Sequence, residues 1–427
     1  MRDYEVIIIG AGATGLMAAK ILSENKIAVC ILEARNRIGG RVYTISKPGF
    51  SKPIEAGAEF IHGKLPLTTA LLRKAGIEHY KVDGELWQIK NGELKKQEDF
   101  IEHSNLFIKK LKKLDKDMSI SEFLKKNFAE DKYQEMTHSL QQYIEGYDAA
   151  DIKDASSFAV KEDWENEEDV QYRIKEGYGS LLEHIKKDCL QNGCKIYLSN
   201  VVKEIRWTAQ HAEVITNQNK AFSADKVIIT VPIILLAETS VPGIAFNPAL
   251  PEIRNAARQT GYGGVIKVIL EFTYAFWETE KGGKTKDLFF IFSREKIPAW
   301  WSQLPDKTPV LTGWLAGPKA DKLSNENNKI ILQQALHSLA SMFAVEIKFL
   351  QQLLKASYIY NWVADPFSKG AYSYKSLTTE AAKKILLQPV SNTLFFAGEA
   401  LSKDYYGTVE AAFQSGKKVA ENILKLN

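Results

Sequence analysis

Residues 5–33 read Glu5-Val-Ile-Ile-Ile-Gly10-Ala-Gly12-Ala-Thr14-Gly15-Leu-Met-Ala-Ala-Lys20-Ile-Leu-Ser-Glu-Asn-Lys-Ile-Ala28-Val-Cys-Ile-Leu-Glu33. An apolar run, a Gly-x-Gly-x-x-Gly turn, an apolar-periodic stretch and a second apolar run closed by an acid predict strand Glu5 to Ile9, helix Leu16 to Ser23 and strand Ala28 to Glu33. Gly10 permits the tight turn, Gly12 lets backbone approach a pyrophosphate, and Gly15 lets the helix lie close on the strand. Ala13 and Thr14 complete the loop at the helix N-terminus, which faces the phosphates. Glu33, 18 residues after Gly15, is placed to accept hydrogen bonds from both hydroxyls of an adenosine ribose and to repel the extra phosphate of an NADP. The expected role of this unit is dinucleotide binding.

The rest of the chain bounds the answer. Its 427 residues exceed what one core accommodates and point to two or three domains. A composition of 45% hydrophobic and 25% charged residues excludes disordered, collagenous and fibrous classes. With 56 basic against 52 acidic residues there is no single-sign field, so nucleic acid is not an expected partner. The longest apolar run, Val227 to Ala237, is broken by Pro232 and falls short of the roughly 20 residues a membrane span needs, so no membrane partner is expected. Asp3 and Glu5 stand where a signal peptide would be apolar, and a cytoplasmic location is the expectation. Cys30, Cys189 and Cys194 form no Cys-x-x-Cys pair, so neither a disulfide framework nor a metal site is indicated.

Residues 98–175 read mostly as helices, with Ser119-Ile-Ser-Glu122 as a capping box. The acids Glu162, Asp163, Glu165, Glu167, Glu168 and Asp169 read as a solvated face or linker. A helix from Gly177 leads to a strand at Lys195-Ile-Tyr-Leu. Alternation at 201–207 and 212–216 predicts antiparallel strands, and 226–232 a buried strand. Strands are expected at 265–272, 288–292, 310–315 and from Leu394, with helices over 328–343 and 408–424. The predicted organisation is discontinuous: a nucleotide-binding domain from 1–75, 176–255 and 390–427, and a substrate domain from 76–175 (a helical insertion) and 256–389 (a mixed sheet).

Directly after Glu33 and Ala34, the run Arg35-Asn-Arg-Ile-Gly39-Gly40-Arg41-Val-Tyr-Thr44 resembles the flavin-dependent amine oxidases, the group of monoamine and polyamine oxidases with histone-lysine demethylases as relatives. The resemblance implies an α/β fold with a Rossmann-type FAD-binding domain and a discontinuous α+β substrate-binding domain. It places Arg35, Gly39, Gly40 and Arg41 along the phosphates and ribityl chain of a non-covalently held FAD. Glu55-Ala-Gly57-Ala58-Glu59-Phe-Ile-His62-Gly63 is similar to the segment passing under the flavin in polyamine oxidases. Phe396-Ala-Gly398-Glu399-Ala400 resembles the family's second flavin strand, and Gly407-Thr408-Val409-Glu410 its last helix start. Val201 and Val202 lie where the family holds the adenine. The sharp motifs cover the first 65 residues, 262–272 and the last 70.

Four positions are implied in the chemistry. Lys267 interrupts an apolar strand, where a buried ammonium needs water or an acceptor; alternation alone also permits a solvent-facing lysine on an edge strand. The family places this lysine on a water at flavin N5. Trp362, in Trp-x-x-Asp-Pro, and Tyr372 match the family's aromatic positions, and ring faces attract an amine. The residue before Tyr372 is Ala371, where monoamine oxidases carry the flavin-linked cysteine. Thr408 stands where monoamine oxidases have a second tyrosine and is similar to the demethylase branch, whose tower insertion has no counterpart here; Tyr405 or Tyr406 is the alternative second wall. His62 and Glu59 are the expected recognition groups for a substrate nitrogen, which points first to polyamines. The implied reaction is oxidation of a small-molecule amine to an imine, with O2 reoxidising the flavin to give H2O2.

Other classes remain as alternatives at this level. Amino-acid oxidases read Gly-Ala-Met-Arg where this chain has Gly57-Ala58-Glu59-Phe60. Carotenoid desaturases and protoporphyrinogen oxidases share the Gly-Gly-Arg start, a flavoprotein scaffold would lack turnover, and an NAD-dependent dehydrogenase would be colourless.

Overall fold

Val6, Ile7, Ile8 and Ile9 are all buried, and they alternate between two hydrophobic cores, Val6 and Ile8 in one and Ile7 and Ile9 in the other. A strand that serves two cores must sit inside a sheet covered on both faces. The computed structural model describes residues 2–90, 92–97, 104–166, 170–239, 242–279, 283 and 285–426. Among them, Tyr4–Ile9 lies within an eight-stranded sheet, flanked in parallel by Val29–Leu32 and Ala221–Ile229. Lys195–Tyr197 and Leu394–Phe396 extend it in parallel on either side. Val202–Thr208 and His211–Thr216 pair antiparallel and return to Ala221–Ile229. Helices Ala13–Glu24, Tyr178–Gln191 and Val409–Leu424 cover one face through Leu16, Leu181, Leu182 and Phe413.

The seven-stranded second sheet is ordered 354–361, 265–272, 310–316, 299–301, 288–292, 85–90, 93–97. Val265–Phe272 is therefore an interior strand, antiparallel to both neighbours. Ile266, Val268, Leu270 and Phe272 pack with Ile331, Leu339 and Leu350 of the helices at 328–342 and 347–353, which turns Lys267 to the opposite face. The expected helical insertion at 76–175 also carries strands. His79–Val82 and Gln171–Ile174 join Phe60–His62 in a three-stranded sheet, and the hairpin Glu85–Lys90 with Glu93–Gln97 extends the second sheet. Lysines dominate the outer strand of that hairpin and hid its alternation, while Trp87 and Ile89 reach the core.

The remaining helices, Ser104–Leu111, Ile120–Asn127, Gln134–Tyr147 and Ser157–Asn166, gather around Phe107, Phe123, Leu140 and Ile144. Ser119 and Glu122 form the expected capping box. Of the acidic run, Glu162 reaches Lys375 at 2.6 Å, and Glu167, Glu168 and Asp169 lie outside the described residues. Among those described, no single helix is long and apolar enough to cross a membrane.

One buried acid joins the two ends of the chain. Helix Pro66–Ala75 has no side-chain cap of its own, and Glu410, fully buried, accepts from Leu67 N at 3.0 Å, Thr68 N at 2.7 Å and Thr68 Oγ1 at 2.7 Å. Replacing Glu410 by Ala leaves these donors without an acceptor, at about 1–3 kcal/mol for each unsatisfied group. A drop of several degrees in the melting temperature of Glu410→Ala, with Glu410→Gln retaining part of the loss, is the expected outcome of a thermal melt.

Candidate active site

A cavity of about 480 Å3 runs between the two large sheets. Of the site residues named from the sequence, all except Gly15 and Tyr405 line it. Gly15 stands behind the wall, where an added Cβ would lie 1.9 Å from Gly10 O. At one end, helix Ala13–Glu24 starts at Gly12 with no side-chain cap and no acid in its first turn. A Cβ built on Gly12 meets nothing within 4 Å, so open space lies in front of an uncapped helix N-terminus, as a pyrophosphate requires. Gly39 bridges to Gly12, which brings the Gly-Gly-Arg loop against the same space.

Glu33 is buried, with Oε2 accepting from Ala11 N at 2.7 Å and Oε1 from Arg35 N at 2.8 Å. Two hydrogen bonds leave carboxylate lone pairs for a diol. Beside it, Asn200, Val201 and Val202 line the cavity, and Asn200 Oδ1 is buried with no partner among the described residues. These features fit an adenosine diphosphate moiety. Arg35 and Arg41 tie segments far apart in sequence together here. Arg35 pairs with Asp365 at 2.5 Å, and Arg41 Nη1 donates to Ala371 O and Glu399 Oε1, both at 2.8 Å. Thr408 Oγ1 accepts from Ala411 N and donates to Tyr405 O, so its hydroxyl caps the last helix. The three cysteines are buried, and no cysteine lines the cavity among the described residues.

At the other end Lys267, 1% exposed, donates to Glu59 Oε2 at 2.6 Å and to Gly57 O at 3.1 Å. The solvent-facing alternative for this lysine is thereby overturned: the strand has neighbours on both sides. Glu59 is also buried, and its Oε1 accepts from Trp301 Nε1 at 3.0 Å and Arg173 Nη2 at 2.9 Å. Burial works to raise this carboxyl, but the Lys267 and Arg173 charges overcome it and hold Glu59 below its ordinary value. Both oxygens being engaged, Glu59 has a different position from the one expected of a substrate-facing acid. Glu55, which accepts from Tyr178 N and Thr44 Oγ1, is raised by burial to about 7.

His62 Nδ1 lies 3.3 Å from Tyr147 OH, with the rings edge-on. Burial lowers its pKa to about 4. Tyr372 OH donates to Tyr147 O at 2.6 Å, and burial raises the phenol well above its usual value. Trp362 is buried and donates to Ala56 O at 2.8 Å, holding the segment that carries Gly57 and Glu59. Tyr406 lines the cavity with Lys375 and Lys383 each 5.9 Å from its ring, whereas Tyr405 is exposed and off the lining. Tyr147, Trp301, Trp314, Arg173 and Asn200 were not anticipated. They belong to segments without motif spacing, and tertiary packing alone brings them here.

Two outcomes test this geometry. Gly12→Ala leaves the melting temperature of the FAD-free protein unchanged but abolishes tight FAD binding, whereas Gly15→Ala lowers the stability of the FAD-free protein itself. His62, neutral in the fold, carries no proton that the unfolded chain takes up below about 6.5, so it makes stability fall as pH drops from about 6.5 to about 4. Histidine-resolved NMR titration should place its midpoint near 4, and His62→Asn should flatten that part of the stability profile; a midpoint above 6 would show a solvated ring.

Comparison with known proteins agrees with the geometry. A family model described as flavin containing amine oxidoreductase matches residues 13–424. The chain is 28% identical over 460 residues to lysine-specific histone demethylase 2 of Homo sapiens, covering 99% of this chain and 54% of the relative, so it spans about half that protein's length. It is 28% identical over 456 residues to polyamine oxidase 2 of Arabidopsis thaliana, covering 99% of this chain and 88% of that one. Putrescine oxidase bound to putrescine superposes with a TM-score of 0.81 over 99% of both chains at 20% identity, a likeness of fold. The family match starts within the first turn of the nucleotide-binding helix and ends in the last helix of the chain, which therefore belongs to the flavin-containing amine oxidoreductases, whose cofactor is FAD.

Proposed function

We propose that this protein oxidises a small-molecule amine, a polyamine first, to an imine that hydrolyses to an aldehyde. FAD, when bound, supplies the acceptor for a hydride equivalent from the carbon beside the nitrogen and passes the electrons to O2, giving H2O2. The observation that carries this reading is continuity: the helix N-terminus with Glu33 and the aromatic end with Lys267, His62 and Tyr372 open into one cavity.

The chain's own groups have separable tasks. Lys267 spends two N–H groups on Glu59 and Gly57, which leaves the third for a water or a cofactor atom in the cavity. A neutral His62 can hydrogen-bond an amine without repelling it. Tyr372, Trp362 and Trp314 add ring surface, which attracts a cation by roughly 0.5–2 kcal/mol and tolerates the neutral amine that must react. Burial of this end excludes water from the reacting centre.

Charge supports an amine over an amino acid. Among the described residues, the arginines on the lining are Arg35 and Arg41, already paired with Asp365 and Glu399, so neither is free for a substrate carboxylate. Glu145, Asp148 and Asp163 line the wall built by the helical region, against Lys319 and Lys375. Carboxylates on that wall suit a second ammonium further along the substrate, and this favours polyamines.

Anaerobic mixing with spermine, spermidine, putrescine and aromatic monoamines tests the proposal through loss of the oxidised-flavin absorbance, with polyamines bleaching fastest. Flavin that dithionite reduces but no amine bleaches would sink it. Because the neutral amine reacts, kcat/KM should rise with pH until the substrate's own ammonium has lost its proton. Lys267→Met should slow turnover or reoxidation by O2 by about tenfold or more, as loss of a preorganised electrostatic group does.

A further inference from the structure

We infer that Glu59 is a positioning residue whose buried carboxylate fixes both the direction of Lys267 and the charge that the flavin experiences. The inference rests on the FAD-dependent reading above. Lys267 ends a flexible four-carbon stem, and an ammonium on such a stem has no preferred direction of its own. Here Glu59 Oε2 at 2.6 Å and Gly57 O at 3.1 Å take two of its three N–H groups. The direction of the third follows from those two.

Glu59 cannot swing away. Its other oxygen is held by Trp301 Nε1 and Arg173 Nη2, and Arg173 is itself anchored by Gln303 Oε1 at 2.7 Å and Ser302 O at 2.9 Å. The guanidinium also lies 4.6 Å from the Phe60 ring centroid, beside Glu59 in sequence. Lys267 and Arg173 stand on different sheets, so the acid is gripped from both sides. Burial removes most screening, and each charge here acts over a longer range than it would in water. Glu55 and the neutral His62 are the other titratable groups of this segment.

Charge arithmetic makes the claim testable without substrate. Glu59→Gln keeps the shape and adds one positive charge to the net; Lys267→Met removes one; the double variant restores the original sum. A more positive surrounding stabilises reduced, negatively charged flavin. The substrate-free reduction potential of bound FAD should therefore rise in Glu59→Gln, fall in Lys267→Met, and return close to wild type in the double variant. Glu59→Asp keeps the charge but shortens the reach, so it should leave the potential near wild type.

With an amine that bleaches the wild-type flavin, Glu59→Gln and Glu59→Asp should each lower kcat about tenfold with KM within about threefold. A purely structural Glu59 would instead lower melting temperature and FAD occupancy and leave the potentials equal, and equal potentials across the series overturn the inference. If Glu59→Gln alone does not retain FAD, the Lys267→Met and double variants still carry the comparison, because the uncompensated lysine is absent from both. Since potentials need no amine, failure of every amine to bleach the flavin would reject the proposed activity while leaving this electrostatic order to be read.

Discussion

Three charges removed from water meet at Glu59, and the arrangement of the cavity depends on the attraction of one carboxylate for two cations. A lysine, an arginine and a carboxylate buried separately would each carry a desolvation penalty of several kcal/mol. Placed together, with an indole N–H donating to the carboxylate and backbone carbonyls accepting from Lys267 and Arg173, they become compatible with a dry interior, although Arg173 Nε is buried without a partner among the described residues. The contact also determines how the pieces of the molecule sit. Glu59 comes from the segment just before the strand Phe60–His62, Lys267 from the interior of the second sheet, and Arg173 from the small three-stranded sheet.

The cavity is polar and prearranged at its nucleotide end, and aromatic at the other. The first needs backbone N–H groups and one acid aimed at a diphosphate and a ribose. The second holds its aromatic groups neutral: His62 is driven down in pKa and Tyr372 up, both by burial, so neither ionises near neutral pH. Charge at that end belongs to Lys267 with the groups around it and to Glu145, Asp148 and Asp163 on the helical wall, against Lys319 and Lys375. Beside Lys267, the rings and the fixed ammonium suit the uncharged form of an amine.

The relatives divide between proteins named for polyamines and proteins named for histone lysines, at nearly equal identity to this chain. One wall of the cavity is built by residues 134–166, whose sequence carries no family motif and whose side chains Tyr143, Glu145, Tyr147 and Asp163 face the cavity.

What the amino-acid sequence determined by itself was whatever depends on neighbours along the chain. The strand–turn–helix–strand start, the acid at position 33, the capping box at Ser119, the Gly-Gly-Arg loop and the amphipathic last helix are short-range patterns, and each is legible because backbone geometry imposes its period on a few consecutive residues. The hairpin at 85–97 escaped that reading because its outer strand faces solvent and carries lysines in place of alternation. Only the tertiary structure decided that Lys267 is interior, that Glu59 serves the lysine, that Thr408 caps a helix, and that Tyr147 and Trp301 belong to the site. Partners such as Trp301 and Glu59, 242 residues apart, leave no common spacing in the chain; burial and the cost of an unpaired charge bring them together, and those forces act on distances in space.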